Sequence, residues 1–286
     1  MRKRFWLATT AHLEDRLWFK DEEDFKTAMN YVAVLAFVLP IKVIAFVLMS
    51  NHVHFVLECS WEVASEFINR FKKNYSQYFS RKYSQGGLLS HNDVDIREVQ
   101  LADESMERAI AYVHMNPVAA SICVHSTQYP WGTGSLFFNP SPVNGTKLQN
   151  YGVRGLIKII HSNVSLPANW MMDQAGYVAP SSYVPIKWVE SVFRTPKRLN
   201  YFLNSSSKAR LINEAPGFSD QLIHSAIRDL SISLFHKTGF EELSEPQAAE
   251  LLRQLRYRFS SDPAQLARVS GLSYARVCEL LESFQV

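Results

Sequence analysis

The stretch over residues 43–58, VIAFVLMSNHVHFVLE, constrains this chain more than any other. Two apolar runs rich in β-branched residues flank the break Ser50-Asn51, the pattern of two antiparallel strands joined by a tight turn. The second run carries His52 and His54. Successive strand side chains project to opposite faces, so the two imidazoles share one side while Val53, Phe55 and Leu57 fill the other. One face then belongs to a core and the other is open to chemistry. A strand-borne His-x-His supplies two donors of a metal site and needs a third from elsewhere. Read instead as ordinary half-buried sheet residues, the same histidines still need hydrogen-bond partners, because unmatched buried polar atoms cost free energy.

The 286 residues exceed one core of typical size, so two domains are expected. Residues 1–138 hold 14 Lys and Arg against 15 Asp and Glu, a net charge of −1, whereas residues 139–286 hold 16 against 12, a net of +4. The basic excess lies in the C-terminal half, which favours a nucleic-acid partner there. Cys59, Cys123 and Cys278 are an odd, widely spaced set without a C-x-x-C, as in a reducing compartment and without a zinc ribbon. The opening MRKRFWLATT resembles a signal peptide only until Glu14 and Asp15 interrupt it. Residues 31–49 carry Lys42 as their only charge, yet Pro40 divides them into a helical and a strand-like piece. A buried helix feeding a buried strand is expected, with no membrane partner and a cytoplasmic, nucleoid-associated location.

In chain order, the pattern predicts a strand over 5–10, a charged loop over 12–20 and a helix from about 21 to 39 opened by acidic residues. The hairpin follows. Residues 63–83 repeat Phe67, Phe71, Tyr75 and Phe79 at helical spacing, leaving Arg70, Lys73, Gln77 and Arg81 on the opposite side. That side suits phosphate contacts and equally a solvated face. A last strand is expected over 96–101, then a helix from about 103 whose core stripe is Met106, Ile110 and Val113. Arg108, Tyr112 and Asn116 share another face of that helix, which Pro117 should kink or end. The aromatic tail Tyr129-Pro130-Trp131-Gly132 would pack back and close a domain near residue 138.

NPSPVNGT, residues 139–146, has a linker composition. Residues 147–210 mix short helical and strand-like runs with Arg194, Lys197 and Arg198, and carry no legible motif. From Ser219 the pattern is helical, with Ser219, Ser244, Asp262 and Ser273 at cap positions. Ala267, Gly271, Val277 and Leu280 fall at helix-turn-helix spacing, although a three-helix packing without DNA binding would use similar residues. Three regions are therefore expected: 1–138 for chemistry, 139–218 as linker and intermediate region, and 219–286 as a helical DNA-binding domain.

MSNHVHF, then YVHMNPV about sixty residues later, then YPWG, together resemble the single-tyrosine HUH transposases, the insertion-sequence and REP-associated tyrosine transposase family. The likeness covers roughly residues 1–138. It implies an α+β fold, a ferredoxin-like antiparallel sheet with helices on one face, here followed by a mostly α-helical C-terminal region. It also implies His52, His54 and Asn116 as ligands of Mg²⁺ or Mn²⁺, Tyr112 as nucleophile, and cleavage of single-stranded DNA beside hairpins through a covalent 5′-phosphotyrosine. Two neutral imidazoles and an amide oxygen suit such chemistry, since they leave a divalent cation its full charge. The phosphotyrosine conserves the energy of the broken bond for later joining. By softness alone the donors would also suit zinc, and no base for the phenol, whose usual pKa is about 10, is evident beside Tyr112; His114 points elsewhere.

Minimal family members lack the C-terminal half, and residues 86–96 lack the aromatic, basic pattern of REP-associated forms. A host-adopted DNA-binding regulator on the same fold is therefore the rival reading, whereas a metalloenzyme on a β-barrel would need more strands. In the C-terminal domain Ser273, Tyr274 and Arg276 would face the major groove of duplex DNA, and Arg253, Arg256 and Arg258 would contact phosphates. A homodimer is left open.

Overall fold

The computed structural model describes residues 4–11, 16–89, 92–141, 144–208 and 217–282. Part of the charged loop (12–15), of the loop at 86–96 (90 and 91), of the linker (142 and 143) and the end of the intermediate region (209 and 210) lie outside the described residues. The chain divides into two compact units, Met1–Ala11, Glu22–Met49 and Val53–Asn213 in the first and His12–Asp21, Ser50–His52 and Glu214–Val286 in the second.

The chain begins β1 (Arg4–Thr10), α1 (Glu22–Val38), β2 (Lys42–Met49), β3 (His52–Cys59), α2 (Trp61–Tyr83) and β4 (Val94–Val99). The strands form one sheet in the order β2-β3-β1-β4, with β1 antiparallel to both β3 and β4. This βαββαβ order is the ferredoxin-like arrangement. Local chemistry sets the ends of the helices. Glu22, Glu23 and Asp24 occupy the first turn of α1, where the helix dipole favours negative charge. Ser60 caps α2 by accepting from the Val63 N–H at 3.4 Å.

Alternation along the strands divides the packing. Phe55 meets Phe67 and Phe71 of α2 with ring centroids 5.1 and 5.7 Å apart. Val56, on the opposite side of β3, joins Met106, Ile110 and Val113 of the next helix, α3 (Ser105–Ala119), in a second core. The helices of the βαββαβ unit thus lie on one face of the sheet, and α3, which follows β4, covers the other. The reason lies in α3 itself: most of its residues are buried, and a helix apolar nearly all round must be covered on more than one side.

The second cover comes from the intermediate region. It forms β5 (Gly145–Lys147), α4 (Val153–Ile160), β6 (Met171–Asp173), α5 (Ile186–Phe193) and α6 (Pro196–Ser205). Val189, Phe193, Leu199 and Phe202 complete the core around α3, and Arg198 pairs with Glu104 and Glu107 at 3.2 and 3.0 Å. Asn30 of α1 ties in the β6 side, donating to the Ile159 carbonyl at 3.0 Å and accepting from the Val178 N–H at 2.8 Å.

Pro117 neither ends nor interrupts α3, which runs on to Ala119. Proline cannot donate to the carbonyl four residues back, and the Asn116 side chain takes over that role. Its amide nitrogen donates to the Tyr112 backbone carbonyl at 2.8 Å and to the Val113 backbone carbonyl at 3.4 Å. The aromatic tail closes onto β2, as its composition suggested. The Tyr129 hydroxyl donates to the Leu48 carbonyl at 2.7 Å, and the Leu48 N–H donates to the Trp131 carbonyl at 2.8 Å. Gly132 is required by this approach, because a Cβ there would stand 2.5 Å from the Phe46 carbonyl oxygen.

The second unit contains α7 (Asp220–Phe235), α8 (Glu245–Phe259), α9 (Pro263–Ser270) and α10 (Tyr274–Glu282). Ser219, Ser244 and Asp262 are N-caps, and Ser273 accepts from the Arg276 N–H at 3.3 Å. Gly271 turns between α9 and α10 with φ at 74°, while Ala267, Val277 and Leu280 are buried in the helical core. Among the described residues no helix is long and apolar enough to cross a membrane. The three cysteines are free thiols.

Candidate active site

Of the expected site residues, His54 and Tyr112 meet on the face of the sheet covered by α3. The His54 and Tyr112 rings meet edge to face, centroids 5.4 Å apart and planes at 89°. Asn116 lies one turn along α3 and is buried. Register supplies what orients His54. Thr9 on β1 stands opposite His54 on one side and Asp95 of β4 on the other, and its Oγ1 is 2.9 Å from His54 Nδ1. His52 opens β3 two residues earlier, so the pleat directs it to the side taken by His54. Its Nδ1 is 2.8 Å from Asn51 Oδ1. An amide oxygen only accepts, so Nδ1 of His52 carries the proton.

Among the described residues no three His, Cys, Asp or Glu side chains cluster as a metal site. A cation at this face would therefore need the Asn116 amide as a donor beside the two histidines. The hydrogen bonding of each of these side chains is compatible with that use. Both imidazoles engage hydrogen-bonding groups through Nδ1, the outer-shell pattern that presents Nε2 to a metal. The Asn116 amide nitrogen is committed to the helix, which assigns its oxygen the acceptor's part.

Burial raises the pKa of the Tyr112 phenol, the Arg97 guanidinium lowers it and the Asp95 carboxylate raises it. Those two β4 side chains pair with each other at 2.6 Å and act on the phenol in opposite directions, burial being the largest influence. His114 is turned away, as its place on the helix implied. Its Nε2 is 2.9 Å from Thr133 Oγ1, which also accepts from the Phe46 N–H at 3.0 Å and donates to the Phe46 carbonyl at 3.2 Å. The hydroxyl has one proton and gives it to that carbonyl, so His114 must donate. Complete burial depresses the His114 pKa from 6.5 to about 4, which keeps the ring neutral.

The residues expected at DNA lie outside this cluster. Arg70, Lys73 and Arg81 are exposed along α2, Arg70 pairing with Glu66 at 2.9 Å. On α8, Arg253 pairs with Glu250 at 3.2 Å, Arg258 Nε lies 3.2 Å from Gln254 Oε1, and Arg256 is exposed. Tyr274 is exposed at the start of α10. Arg276 is ion-paired with Glu245 and with Glu279, the latter at 2.7 Å, and the Ser273 hydroxyl serves as a helix cap.

Thr9, Asp95 and Arg97 escaped the sequence reading because only strand register brings them to His54 and Tyr112. Asn51 was legible: it adjoins His52, and a buried imidazole calls for a nearby amide or carboxylate.

No curated protein matches this chain. A solved structure of a REP-associated tyrosine transposase bound to a REP hairpin aligns with 46% of this chain and 76% of that one, at 12% identity and a TM-score of 0.35. Residues 15–90, the span of α1, β2, β3 and α2, match the family model described as Transposase IS200 like, and over that span the chain is recognised as similar to the IS200-like transposases.

Proposed function

We propose that this chain is a metal-dependent single-stranded DNA endonuclease and strand transferase acting at hairpin-bearing DNA, with Tyr112 as nucleophile. The observation that carries the reading is the edge-to-face meeting of His54 and Tyr112, because it joins the two motifs that the transposase likeness pairs. Mg²⁺ or Mn²⁺ held by His52, His54 and Asn116 would supply, when bound, Lewis-acid polarisation of a phosphodiester oxygen. Thr9 and Asn51 hold the imidazoles in orientation. The Tyr112 oxygen forms a bond to phosphorus, the bond from phosphorus to the 3′ oxygen breaks, and the phenol proton ends on the departing 3′-hydroxyl. The 5′-phosphotyrosine so formed can be reversed by another 3′-hydroxyl, which makes the step a transfer rather than a hydrolysis.

Labelled single strands bearing hairpins, incubated with the full chain and Mn²⁺, should give a covalent protein–DNA adduct that is absent from Tyr112→Phe. Undiminished adduct in Tyr112→Phe, or none in the wild type with a panel of hairpins, would reject the assignment.

A DNA-binding regulator that does not use cleavage is the second reading, favoured by the basic excess of residues 139–286 and the Ala267, Gly271, Val277 and Leu280 spacing. In the nuclease reading residues 1–138 do the chemistry and residues 219–286 set where it happens. Regulation that survives simultaneous substitution of His52, His54 and Tyr112 would favour the regulator. Because α5 and α6 complete the core around α3, a truncation meant to isolate the chemistry belongs after residue 208 rather than near 140.

A further inference from the structure

A second cation stands at Tyr112 that the metal chemistry does not use. The Lys208 ammonium lies over the Tyr112 ring, 5.1 Å from its centroid. Lys208 is half-buried, and among the described residues no carboxylate lies within ion-pairing distance of it. Burial pushes its pKa below that of an ordinary lysine. A desolvated ammonium is costly unless something compensates it, and the aromatic face beneath it does so only partly.

Beside it lies a hollow of about 280 Å³ lined by Arg108, Tyr112, Phe202 and the serines 205, 206 and 207. Arg108 and Tyr112 are one helical turn apart on α3 and face the same way. The Arg108 side chain is 60% exposed, although it pairs with Glu104 at 2.9 Å. One cation, hydroxyls and a nucleophile candidate therefore share one opening, and the Lys208 ammonium stands over the ring of that same tyrosine.

We propose that Lys208 and Arg108 form a phosphate-binding subsite that seats the backbone of a single-stranded nucleic acid against Tyr112, with the 205–207 hydroxyls at its wall. The subsite rests on the reading of this face as one that handles nucleic acid, and it gives the intermediate region a role: the turn that follows α6 carries Lys208 to the tyrosine. An anion seated there completes the compensation that the half-buried ammonium lacks, and charge-assisted contacts to phosphate are the strong ones. Lysine and arginine contacts of this kind hold the strand in position without reading its bases.

The test is equilibrium binding of a single-stranded oligonucleotide to the full chain carrying Tyr112→Phe, which retains the ring beneath Lys208 and prevents cleavage, over a series of salt concentrations. Each phosphate contact contributes about 0.7 to the slope of log K against log salt for single strands. Adding Lys208→Gln should lower the slope by roughly that amount, and Lys208→Arg should restore it. An unchanged slope in Lys208→Gln, or no measurable binding of single strands, overturns the subsite. If Lys208→Gln does not fold, the exposed Arg108→Gln carries the same expectation and the same refutation. The adduct experiment separates the two proposals. Adduct formation with an unchanged slope leaves the nuclease and removes the subsite; a lowered slope without adduct leaves the subsite and removes the nucleophile.

Discussion

His54 on β3 and Tyr112 on α3 stand edge to face at 5.4 Å between ring centroids, and the contact is made across a sheet face that α3 covers from above. A helix laid against a strand with this register brings an imidazole and a phenol to one point. Neither element could do so alone.

Thr9→Val tests how that imidazole is held. The substitution nearly preserves shape and removes the hydroxyl 2.9 Å from His54 Nδ1. Outer-shell partners of this kind are worth about 10–100-fold in metal affinity. The Mn²⁺ concentration giving half-maximal adduct should rise by that order, and an unshifted titration would show that Thr9 does not orient a ligand.

His114 makes stability depend on pH. Its folded pKa is about 4 against an ordinary 6.5, so between those values the unfolded chain binds more protons than the folded one. Stability should therefore rise with pH across that window, be fully present above about pH 6.5, and be lost as pH falls toward 4, by up to roughly 3 kcal/mol. Urea unfolding at several pH values measures the slope. His114→Gln, which has nothing to titrate there, should flatten it.

Gly132→Ala should destabilise the first unit. The added Cβ would stand 2.5 Å from the Phe46 oxygen and 3.1 Å from the Val47 Cα, and both of those atoms are backbone, so the tail must move off β2. A loss of about 1–3 kcal/mol is expected, as for overpacked sites. Unfolding midpoints equal to those of the wild type would mean that the tail is not anchored at β2.

Arg276→Ala separates base reading from packing in the second unit. Arg276 is paired with Glu245 and Glu279, so a groove contact would require it to exchange carboxylates for bases. If it does, the variant should lose about 1–3 kcal/mol of discrimination at one base pair, whereas substitution of Arg256 should weaken all duplexes alike and reduce the salt slope. Equal duplex binding by wild type and Arg276→Ala would make α7 to α10 a protein-contact bundle.

Much of this was legible in the sequence. The hairpin around Ser50-Asn51, the opposed faces of β3, the stripe Met106, Ile110 and Val113, and the caps at Ser219, Asp262 and Ser273 follow from periodicity and turn chemistry acting over a few residues. The pairing of Thr9 with His54, the second helical cover over α3, the continuation of α3 past Pro117 and the arrival of Lys208 at Tyr112 did not. Each depends on how elements distant in sequence are registered and packed. A strand shows its two faces in its own alternation but not which residue will stand opposite, and a helix shows its apolar surface but not what will cover it. Sequence thus determined the elements and the residues offered for chemistry, and tertiary structure decided which of them meet, because contact is set by register and packing rather than by local pattern.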